Sequence, residues 1–310
     1  MMHKLTQCFM QMLCAICLLT CLSACQPDPI ERPLFDGNNA FREVERLVAF
    51  SPRDAGTPGG HAAAQHIATR LEKLGLSVEI DSFTDTTPEG PKAMMNVLAY
   101  LPGRSGDAVI LGSHFDTMPG IPDFEGANDS GSSTGVLLEL ARVLKDQPLQ
   151  HEIILAFFDG EEGIANFIPG DGLHGSRHYA SRLVKEGQLE RYRAMILLDM
   201  IGDQNLTFTV PANSDPALLK SLIKAARKLN VVEKIMLRPD INIIDDHVPF
   251  LAIDIPAIDL IDFHFGSDEM LNDYWHTEED SLDKLSVESL KISGDITLEM
   301  LADLGVFIDL

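Results

Sequence analysis

The chain has 310 residues, and 47 acidic against 24 basic residues give it a formal net charge of −23 at neutral pH. No run of lysine or arginine could neutralise a phosphate backbone, so the composition argues against nucleic acid as a partner. All five cysteines lie within the first 25 residues, which excludes disulfides and cysteine-ligated metals from the rest of the chain.

The start of the chain has the pattern of an export signal. A histidine and a lysine precede an apolar run over residues 9–22, which is too short to cross a bilayer as a mature helix. The run ends in Leu-Ser-Ala-Cys, which resembles the bacterial lipobox, and an ordinary signal peptide cleaved nearby is the alternative. We expect removal of residues 1–24, lipidation of Cys25 and a tether over residues 25–36. This predicts an exported protein of the bacterial cell envelope, periplasmic or on the outer-membrane side, that touches the membrane through Cys25 only.

Apolar runs alternate with amphipathic helical patterns along residues 37–310, which we interpret as a single domain. Strands are predicted at Leu76–Phe83, Met95–Leu101, Ala108–Leu111, Ile153–Phe158, Ala194–Leu198 and Ala257–Ile261. Helices are predicted at Phe41–Val48, His61–Leu74, Thr134–Leu144, Gly175–Val184, Pro216–Leu229, His247–Ile253 and Val287–Leu304. This alternation favours an α/β fold in which helices cover both faces of a largely parallel sheet.

Five clusters of acidic residues or histidine stand out between these elements. They are His114-Phe115-Asp116, Asn128-Asp129, Asp159-Gly160-Glu161-Glu162, Asp199 and Trp275-His276. Three of them directly follow an apolar run, and ligands of open α/β sheets collect beyond the carboxyl ends of the strands. One carboxylate at a strand end is commonly a cap or turn residue, whereas several in one crevice repel one another unless protons or a metal are present. Oxygen and imidazole donors without thiolate suit zinc, whose catalytic sites have three protein ligands and an open position.

The adjacent acids Glu161 and Glu162 cannot both point the same way in an extended or loop segment. One is therefore placed to bind a metal, while its neighbour faces the substrate and can move protons between substrate groups. Asp116 is a candidate to accept a hydrogen bond from the His114 ring or to orient another ligand. Three further histidines in helical patterns are interpreted as packing residues: His151, His178 and His247.

Taken together, these motifs resemble those of one superfamily, the zinc aminopeptidases and glutaminyl-peptide cyclotransferases, over roughly residues 53–304. The resemblance depends on the order His-x-Asp, Asn-Asp-Ser-Gly, Glu-Glu, Leu-Asp-Met-Ile-Gly and Trp-His-Thr. The stretches that are closer to the cyclase branch are Phe157–Glu162, Leu173–His178, Asp245–Phe250 and Tyr274–Thr277. Membership implies a three-layer α-β-α sandwich with a mixed, mostly parallel central sheet.

The resemblance also implies a ligand set for the metal. Asp129, Glu162 and His276 match the residues that bind the catalytic zinc. His114 and Asp199 match residues that hold a second zinc in the aminopeptidases. One zinc ion is the preferred count, and two ions are compatible with the same pattern.

Further roles follow from the resemblance. Glu161 matches the proton shuttle, and Asp199 would assist it. Asp245 matches an acid that orients the catalytic hydrogen bonds of the cyclases, and Trp275 and Phe167 match aromatic residues that wall the substrate pocket.

The implied activity converts the N-terminal glutamine of a peptide or protein to pyroglutamate with release of ammonia. The main alternative is a two-zinc aminopeptidase, in which Glu161 activates a bridging water. A third alternative is an inactive binding domain that keeps only the fold. Such a domain is expected to have lost metal ligands, whereas the motifs retain all of them. Animal cyclases differ around Asp259, which leaves the partner of Asp245 open.

Overall fold

The computed structural model describes residues 34–165, 168, 170–267 and 272–308. The predicted leader, Cys25 and Phe167 lie outside these residues. Among the described helices, none combines the length and the apolar character needed to cross a bilayer.

The described elements follow the predicted alternation. The helices are α1 (Gly37–Val48), α2 (Pro58–Lys73), α3 (Ser133–Leu144), α4 (His174–Glu186), α5 (Pro216–Leu229), α6 (Val248–Leu251) and α7 (Val287–Asp303). The strands are β1 (Ser77–Thr87), β2 (Gly90–Leu101), β3 (Ala108–His114), β4 (Glu152–Phe158), β5 (Tyr192–Asp199), β6 (Phe208–Pro211), β7 (Ile235–Arg238) and β8 (Ala257–Ile261). Short helical turns lie at Ala127–Ser132, Leu189–Arg191, Val232–Lys234 and Leu282–Lys284.

The central sheet has the strand order β1-β2-β4-β3-β5-β8. The strands β4, β3, β5 and β8 run parallel to one another. β1 and β2 form an antiparallel hairpin, and β2 pairs antiparallel with β4. The short strands β6 and β7 pair with each other outside this sheet. The mixed, mostly parallel sheet is therefore confirmed, and the carboxyl ends of four strands meet at one edge.

The alternating side chains of each strand supply two separate apolar cores. In β3, Val109 and Leu111 pack into a core with α1, α2, α3, α5 and α7. Ala108 and Ile110 point to the opposite face, where α4 and α6 cover the sheet. Successive side chains of a strand point to opposite faces, so a strand that is apolar throughout must be covered on both sides. The predicted three-layer sandwich is thus confirmed.

Helix starts are set by caps rather than by the apolar pattern alone. α2 begins at Pro58, three residues before the predicted start, because the Thr57 hydroxyl accepts a hydrogen bond from Gly60 N at 3.2 Å. α5 begins at Pro216, where the Asp215 carboxylate accepts from the next two amides. Proline fits the first helical position because the amide it lacks would have no partner inside the helix.

Candidate active site

Three side chains that are far apart in the sequence come together at the carboxyl edge of the sheet. Asp129, Glu162 and His276 offer ligand atoms that all lie within 4.8 Å of one another. His276 Nε2 is 3.1 Å from Glu162 Oε1 and 3.4 Å from Asp129 Oδ2. Asp129 Oδ2 is buried and has no hydrogen-bond partner among the described residues. Two carboxylates and one imidazole form a donor set of the kind that holds a catalytic zinc, so these residues fit the ion that the motifs imply.

The strand ends explain why the site forms at this edge. His114 is the last residue of β3, Asp199 is the last residue of β5, and Glu162 lies four residues beyond the end of β4. Because these strands are parallel neighbours, their ends deliver the three side chains to one place. Asp129 comes from the helical turn Ala127–Ser132, and His276 comes from the segment between β8 and α7.

Three residues in or beside the site have a left-handed backbone conformation. Gly160, Met200 and His276 have φ angles of 75°, 46° and 54°. At Gly160 a Cβ atom would also lie 2.9 Å from Met94 Sδ, so glycine satisfies both the backbone angle and the packing there. For His276, a non-glycine residue, the left-handed conformation is uncommon, and such residues cluster at functional sites.

The Asp116 carboxylate fixes the two glutamates. Its oxygens accept hydrogen bonds from Glu161 N at 3.1 Å and Glu162 N at 3.2 Å, and Oδ1 lies 3.4 Å from His114 Nδ1. Asp116 thus lies against the His114 ring and holds the segment that carries both glutamates. The Glu162 carboxylate lies within hydrogen-bond distance of His276 Nε2, whereas Glu161 makes no such contact and lines the cleft.

The segment that carries Asp129 is held by a residue that the sequence reasoning missed. The buried Asp280 carboxylate accepts hydrogen bonds from Asn128 N at 2.7 Å and Asp129 N at 3.0 Å. Burial, reinforced by the nearby charge of Asp129, raises the pKa of Asp280 to about 8. The available clue was an acid four residues after His276.

A buried cation under the site was also missed. The Arg53 side chain is fully buried and donates to Phe115 O at 2.8 Å, Glu125 O at 2.6 Å and Gly126 O at 2.9 Å. Burial lowers the pKa of Arg53 to about 10, so it remains charged at neutral pH. Its position in a proline- and glycine-rich loop has no periodicity that would have predicted burial.

The charges of the site are coupled to one another. Burial and the charge of the adjacent Asp129, partly offset by His276, raise the pKa of Glu162 to about 7. Burial alone would lower the pKa of His276, but the carboxylates of Asp129 and Glu162 outweigh it and raise that pKa to about 10. The pKa of Glu161 lies well above its ordinary value, chiefly because of burial and then because of Asp245 and other neighbouring acids. Such a concentration of carboxylates favours binding of a cation.

A second possible metal group shares Asp129 with the first. His114 Nε2 lies 3.1 Å from Asp129 Oδ1 and 3.4 Å from Asp199 Oδ1. These three residues form their own group of buried candidate ligands. The two oxygens of Asp129 thus face different groups, as in a bridging carboxylate, and the geometry is compatible with one ion or two.

A cleft of about 620 Å³ opens over these residues. Glu161, Glu162, Asp199 and Asp245 form part of its polar lining. Its apolar wall consists of Met118, Met200, Ile241, Ile243, Ile244, Ile261, Phe263 and Trp275. The Trp275 ring is 38% exposed and stacks on His276 with 4.0 Å between ring centroids. The cleft therefore offers an apolar wall beside a polar, acidic floor.

The three histidines interpreted as packing residues are not among the lining residues of this cleft. His151 Nδ1 is 2.7 Å from Ser105 Oγ, and His178 stacks on Phe83 with 4.2 Å between centroids. His247 is fully buried beneath the cleft wall.

Together the fold and the site define an α/β enzyme of the zinc-exopeptidase type. Residues 96–301 match the family model described as Peptidase family M28, and the chain belongs to that family. Its named relatives place it in the glutaminyl cyclase branch, as the motifs predicted. The glutaminyl-peptide cyclotransferase of Drosophila melanogaster is 32% identical over 257 residues, covering 74% of this chain and 71% of the relative. That of Bos taurus is 30% identical over 296 residues, covering 80% and 78%.

Solved structures agree in fold. The chain is similar to the crystal structure of the Acidobacteriales bacterium glutaminyl cyclase, with a TM-score of 0.83, 35% identity and coverage of 91% of this chain and 99% of that one. It is also similar to a Zn-dependent exopeptidase from Parabacteroides distasonis, with a TM-score of 0.76, 27% identity and coverage of 86% and 98%. The fold is thus common to enzymes named for either activity.

Proposed function

We propose that the chain is a zinc-dependent glutaminyl-peptide cyclotransferase, which converts the N-terminal glutamine of peptides to pyroglutamate and releases ammonia. The main support for this proposal is that Asp129, Glu162 and His276 lie close together at the floor of the cleft. Glu161 lines the same cleft but is outside this group of candidate ligands. The similarity to relatives named for this activity supports the same reading. One zinc ion per chain is our preferred count.

The reaction is an intramolecular acyl transfer. The substrate's own α-amine attacks its side-chain amide carbon, a new C–N bond forms, and the bond to the amide nitrogen breaks. Asp129, Glu162 and His276 would hold the zinc ion, which when bound would supply a Lewis acid for the side-chain carbonyl. Glu161 accepts a proton from the attacking amine and delivers it to the departing ammonia, so no protein nucleophile takes part.

The remaining cleft residues position the substrate. The apolar face of Trp275 packs against the glutamine side chain and favours the folded conformation that brings amine and amide together. Asp199 and Asp245 line the acidic floor, where they can accept hydrogen bonds from the α-amine and orient it. Phe167 is proposed to add a further aromatic wall.

The two-zinc aminopeptidase remains a second candidate because of one observation. His114, Asp129 and Asp199 form a second group of buried ligand atoms next to the first. With both groups filled, the same floor would suit hydrolysis of the first peptide bond by an activated water.

Assays on the purified, zinc-loaded chain distinguish the two candidates. A glutaminyl dipeptide amide should yield ammonia and a pyroglutamyl product with its peptide bond intact, and leucine amide should not be hydrolysed. Release of a free amino acid from either substrate would instead support the aminopeptidase. Zinc measured per chain on the same sample tests the proposed count of one.

We further propose that the protein is exported and anchored in the cell envelope by lipidation of Cys25. The support is the lipobox-like sequence that ends the apolar leader. Expression in a bacterium with labelled fatty acid should give a labelled, membrane-associated protein. The Cys25→Ser variant should lose both the label and the membrane association, and a variant that keeps them would contradict the proposal.

A further inference from the structure

A pocket rich in arginine lies between the helices α1, α2 and α3. Its volume is about 270 Å³, and we call it the arginine pocket. Its charged lining consists of Arg42, Glu43, Arg46, Arg70, Glu139 and Arg142. Four arginines against two glutamates give this surface a net charge of +2, in a chain whose net charge is −23. None of the roles proposed for the cleft residues uses these charges.

Two buried glutamates hold the arginine side chains in place. Glu43 accepts hydrogen bonds from Arg46 Nη1 at 2.7 Å and from Arg70 Nε at 3.0 Å. Glu139 accepts from Arg142 Nε at 2.8 Å and from Arg142 Nη2 at 2.5 Å. Because the guanidinium groups are already oriented, a ligand of the pocket has little side-chain freedom to remove when it binds.

The arginines of α1 keep donors for a ligand. A guanidinium group has five N–H donors. Among the described residues, Arg46 makes its hydrogen bond through Nη1 alone, and Arg42 makes its one hydrogen bond through Nη2 to Asn39. The Arg46 side chain is 46% exposed, so an acceptor from outside can reach its remaining donors. Several guanidinium groups around one pocket suit the oxygens of a phosphate group.

The arginine pocket lies where the chain that follows the leader enters the fold. Arg142 Nη2 donates to Leu34 O at 3.4 Å, and Asp36 N donates to Glu139 Oε1 at 3.1 Å. The apolar side chain of Leu34 is 85% exposed. Cys25 lies nine residues before Leu34. A fully extended chain of that length spans at most about 30 Å, so a membrane that holds Cys25 is within reach of the pocket.

The direction of α3 places the pocket away from the cleft. α3 leads from β3 to the parallel strand β4, so it runs back from the carboxyl edge of the sheet towards the opposite edge. It begins directly after the segment that carries Asp129. Arg142 lies nine residues beyond Ser133, which is about 14 Å farther along the helix at 1.5 Å per residue. A surface that contacts the pocket therefore leaves the cleft open.

We propose that the arginine pocket is a membrane-docking site, which binds the anionic headgroups of phospholipids in the membrane that holds Cys25, with Leu34 inserted beside them. It adds a second membrane contact to the lipidated cysteine. This proposal rests on the proposed anchor and not on the proposed catalytic activity. A local charge of +2 is too small to draw a free acidic protein to an anionic membrane, but a tether raises the effective concentration of the pocket at that surface.

A chain that begins at Cys25 allows a direct test. Cys25 is its only thiol, so it can be coupled to a maleimide-bearing lipid in vesicles, which makes the test independent of lipidation in the cell. Trp275 is the only tryptophan, so Leu34→Trp in a Trp275→Phe background reports membrane contact through quenching by brominated lipids. We expect several-fold stronger quenching in vesicles of phosphatidylcholine with phosphatidylglycerol than in phosphatidylcholine alone, and a loss of this difference at high salt. Val184→Trp, an exposed position on α4, should be quenched little in either.

Substitutions that remove charge identify the surface responsible. The double variant Arg42→Gln/Arg46→Gln should lower the ratio of docked to undocked protein roughly 10- to 30-fold, since each basic residue near an anionic surface contributes a factor of about five. Arg42→Gln alone leaves the hydrogen bonds of Glu43 intact and should lower the ratio about 5-fold. The matched control Lys220→Gln/Arg227→Gln makes the same change in net charge on exposed positions of α5 and should dock like the parent chain.

Four outcomes would overturn the proposal. Equal losses in both double variants would mean that only net charge matters, and no loss in Arg42→Gln/Arg46→Gln would remove the pocket from the contact. Equal quenching with and without phosphatidylglycerol would mean that the headgroup charge is not recognised. Thermal stabilisation by inorganic phosphate that Arg42→Gln/Arg46→Gln abolishes, without any docking, would make the pocket a site for a soluble anion. A protein that incorporates no fatty acid at Cys25 in cells contradicts the anchor separately, because the vesicle test does not use that lipidation.

Discussion

Glu161 and Glu162 are neighbours in the sequence, yet their side chains have different surroundings. The Asp116 carboxylate accepts both of their amide hydrogens, and only Glu162 reaches His276. At the scale of single residues, the proposed chemistry depends on a division of roles in which Glu162 binds the metal and Glu161 carries the proton. Two substitutions test it directly.

Replacing Glu161 with Gln should abolish most turnover while zinc content stays near that of the wild type. The amide keeps the shape of the side chain but cannot carry a proton, and general acid–base catalysis is worth roughly 10²- to 10⁴-fold in rate. Ammonia release and zinc per chain are measured on one preparation. Glu162→Gln is the matched control and should lose zinc. A Glu161→Gln protein that loses its metal would contradict the division of roles.

Replacing His276 with Ala should deplete the protein of zinc. His276 supplies the only nitrogen of the proposed ligand set and meets both of its carboxylates. Metal content after dialysis against a weak chelator gives the measurement. His178→Ala, which removes a ring stacked on Phe83 away from the site, should keep its zinc. Full retention of zinc by His276→Ala would remove this residue from the ligand set.

At the scale of elements, the close packing of α3 against α1 supports the segment that carries Asp129. α3 begins directly after that segment, and its Gly135 lies against the backbone of α1. A Cβ atom at Gly135 would lie 2.6 Å from Val44 Cγ2 and 2.7 Å from Ala40 O. The missing side chain therefore sets how closely the two helices can pack.

The Gly135→Ala variant should unfold more easily than the wild type. Overpacking against a backbone carbonyl costs about 1–3 kcal/mol, and the better helix propensity of alanine returns up to about 1 kcal/mol of this. Urea unfolding of the zinc-loaded protein measures the difference. Ser181→Ala, on an exposed position of α4, is the control and should change the free energy of unfolding by less than about 0.5 kcal/mol. Equal stability of Gly135→Ala and the wild type would mean that α1 shifts freely.

At the scale of the whole molecule, the chain carries a large excess of acidic residues, and the floor of its cleft is itself acidic. Among the described residues that line the cleft, the one arginine is Arg238. It pairs with Asp240 through two contacts of 2.9 Å, so its charge is compensated. A low-dielectric cleft lined by one sign of charge attracts the opposite charge. The N-terminal ammonium of a peptide fits this field.

The charge on the second residue of the substrate should therefore change kcat/KM at low salt. We expect kcat/KM for a glutaminyl-lysine amide to exceed that for a glutaminyl-glutamate amide by up to about 10-fold at low ionic strength. The contrast should shrink as salt rises, because exposed charges are screened over about 10 Å at 0.1 M. A glutaminyl-methionine amide, with an uncharged side chain, should respond little to salt. A contrast that survives high salt would point to a specific contact rather than to the field of the molecule.

The sequence by itself determined the element order, the layered α/β architecture and the site motifs, because hydrophobic periodicity and strand-end residues are local patterns. It did not predict β6 and β7, four-residue strands that are too short to have a clear period. It also underestimated the length of the hairpin formed by β1 and β2. The pairing of these strands continues through polar residues as far as Thr87 and Gly90. Backbone pairing lengthens a strand without any apolar pattern.

Only the tertiary structure decided which polar residues are buried together. Arg53 under the site and Asp280 behind Asp129 contact residues that are distant in the chain. Burial and the charge of such neighbours set the protonation of a group, and neither can be read from the residues beside it in the sequence. The motifs therefore predicted the candidate reacting groups, whereas the fold determined how those groups are held and charged.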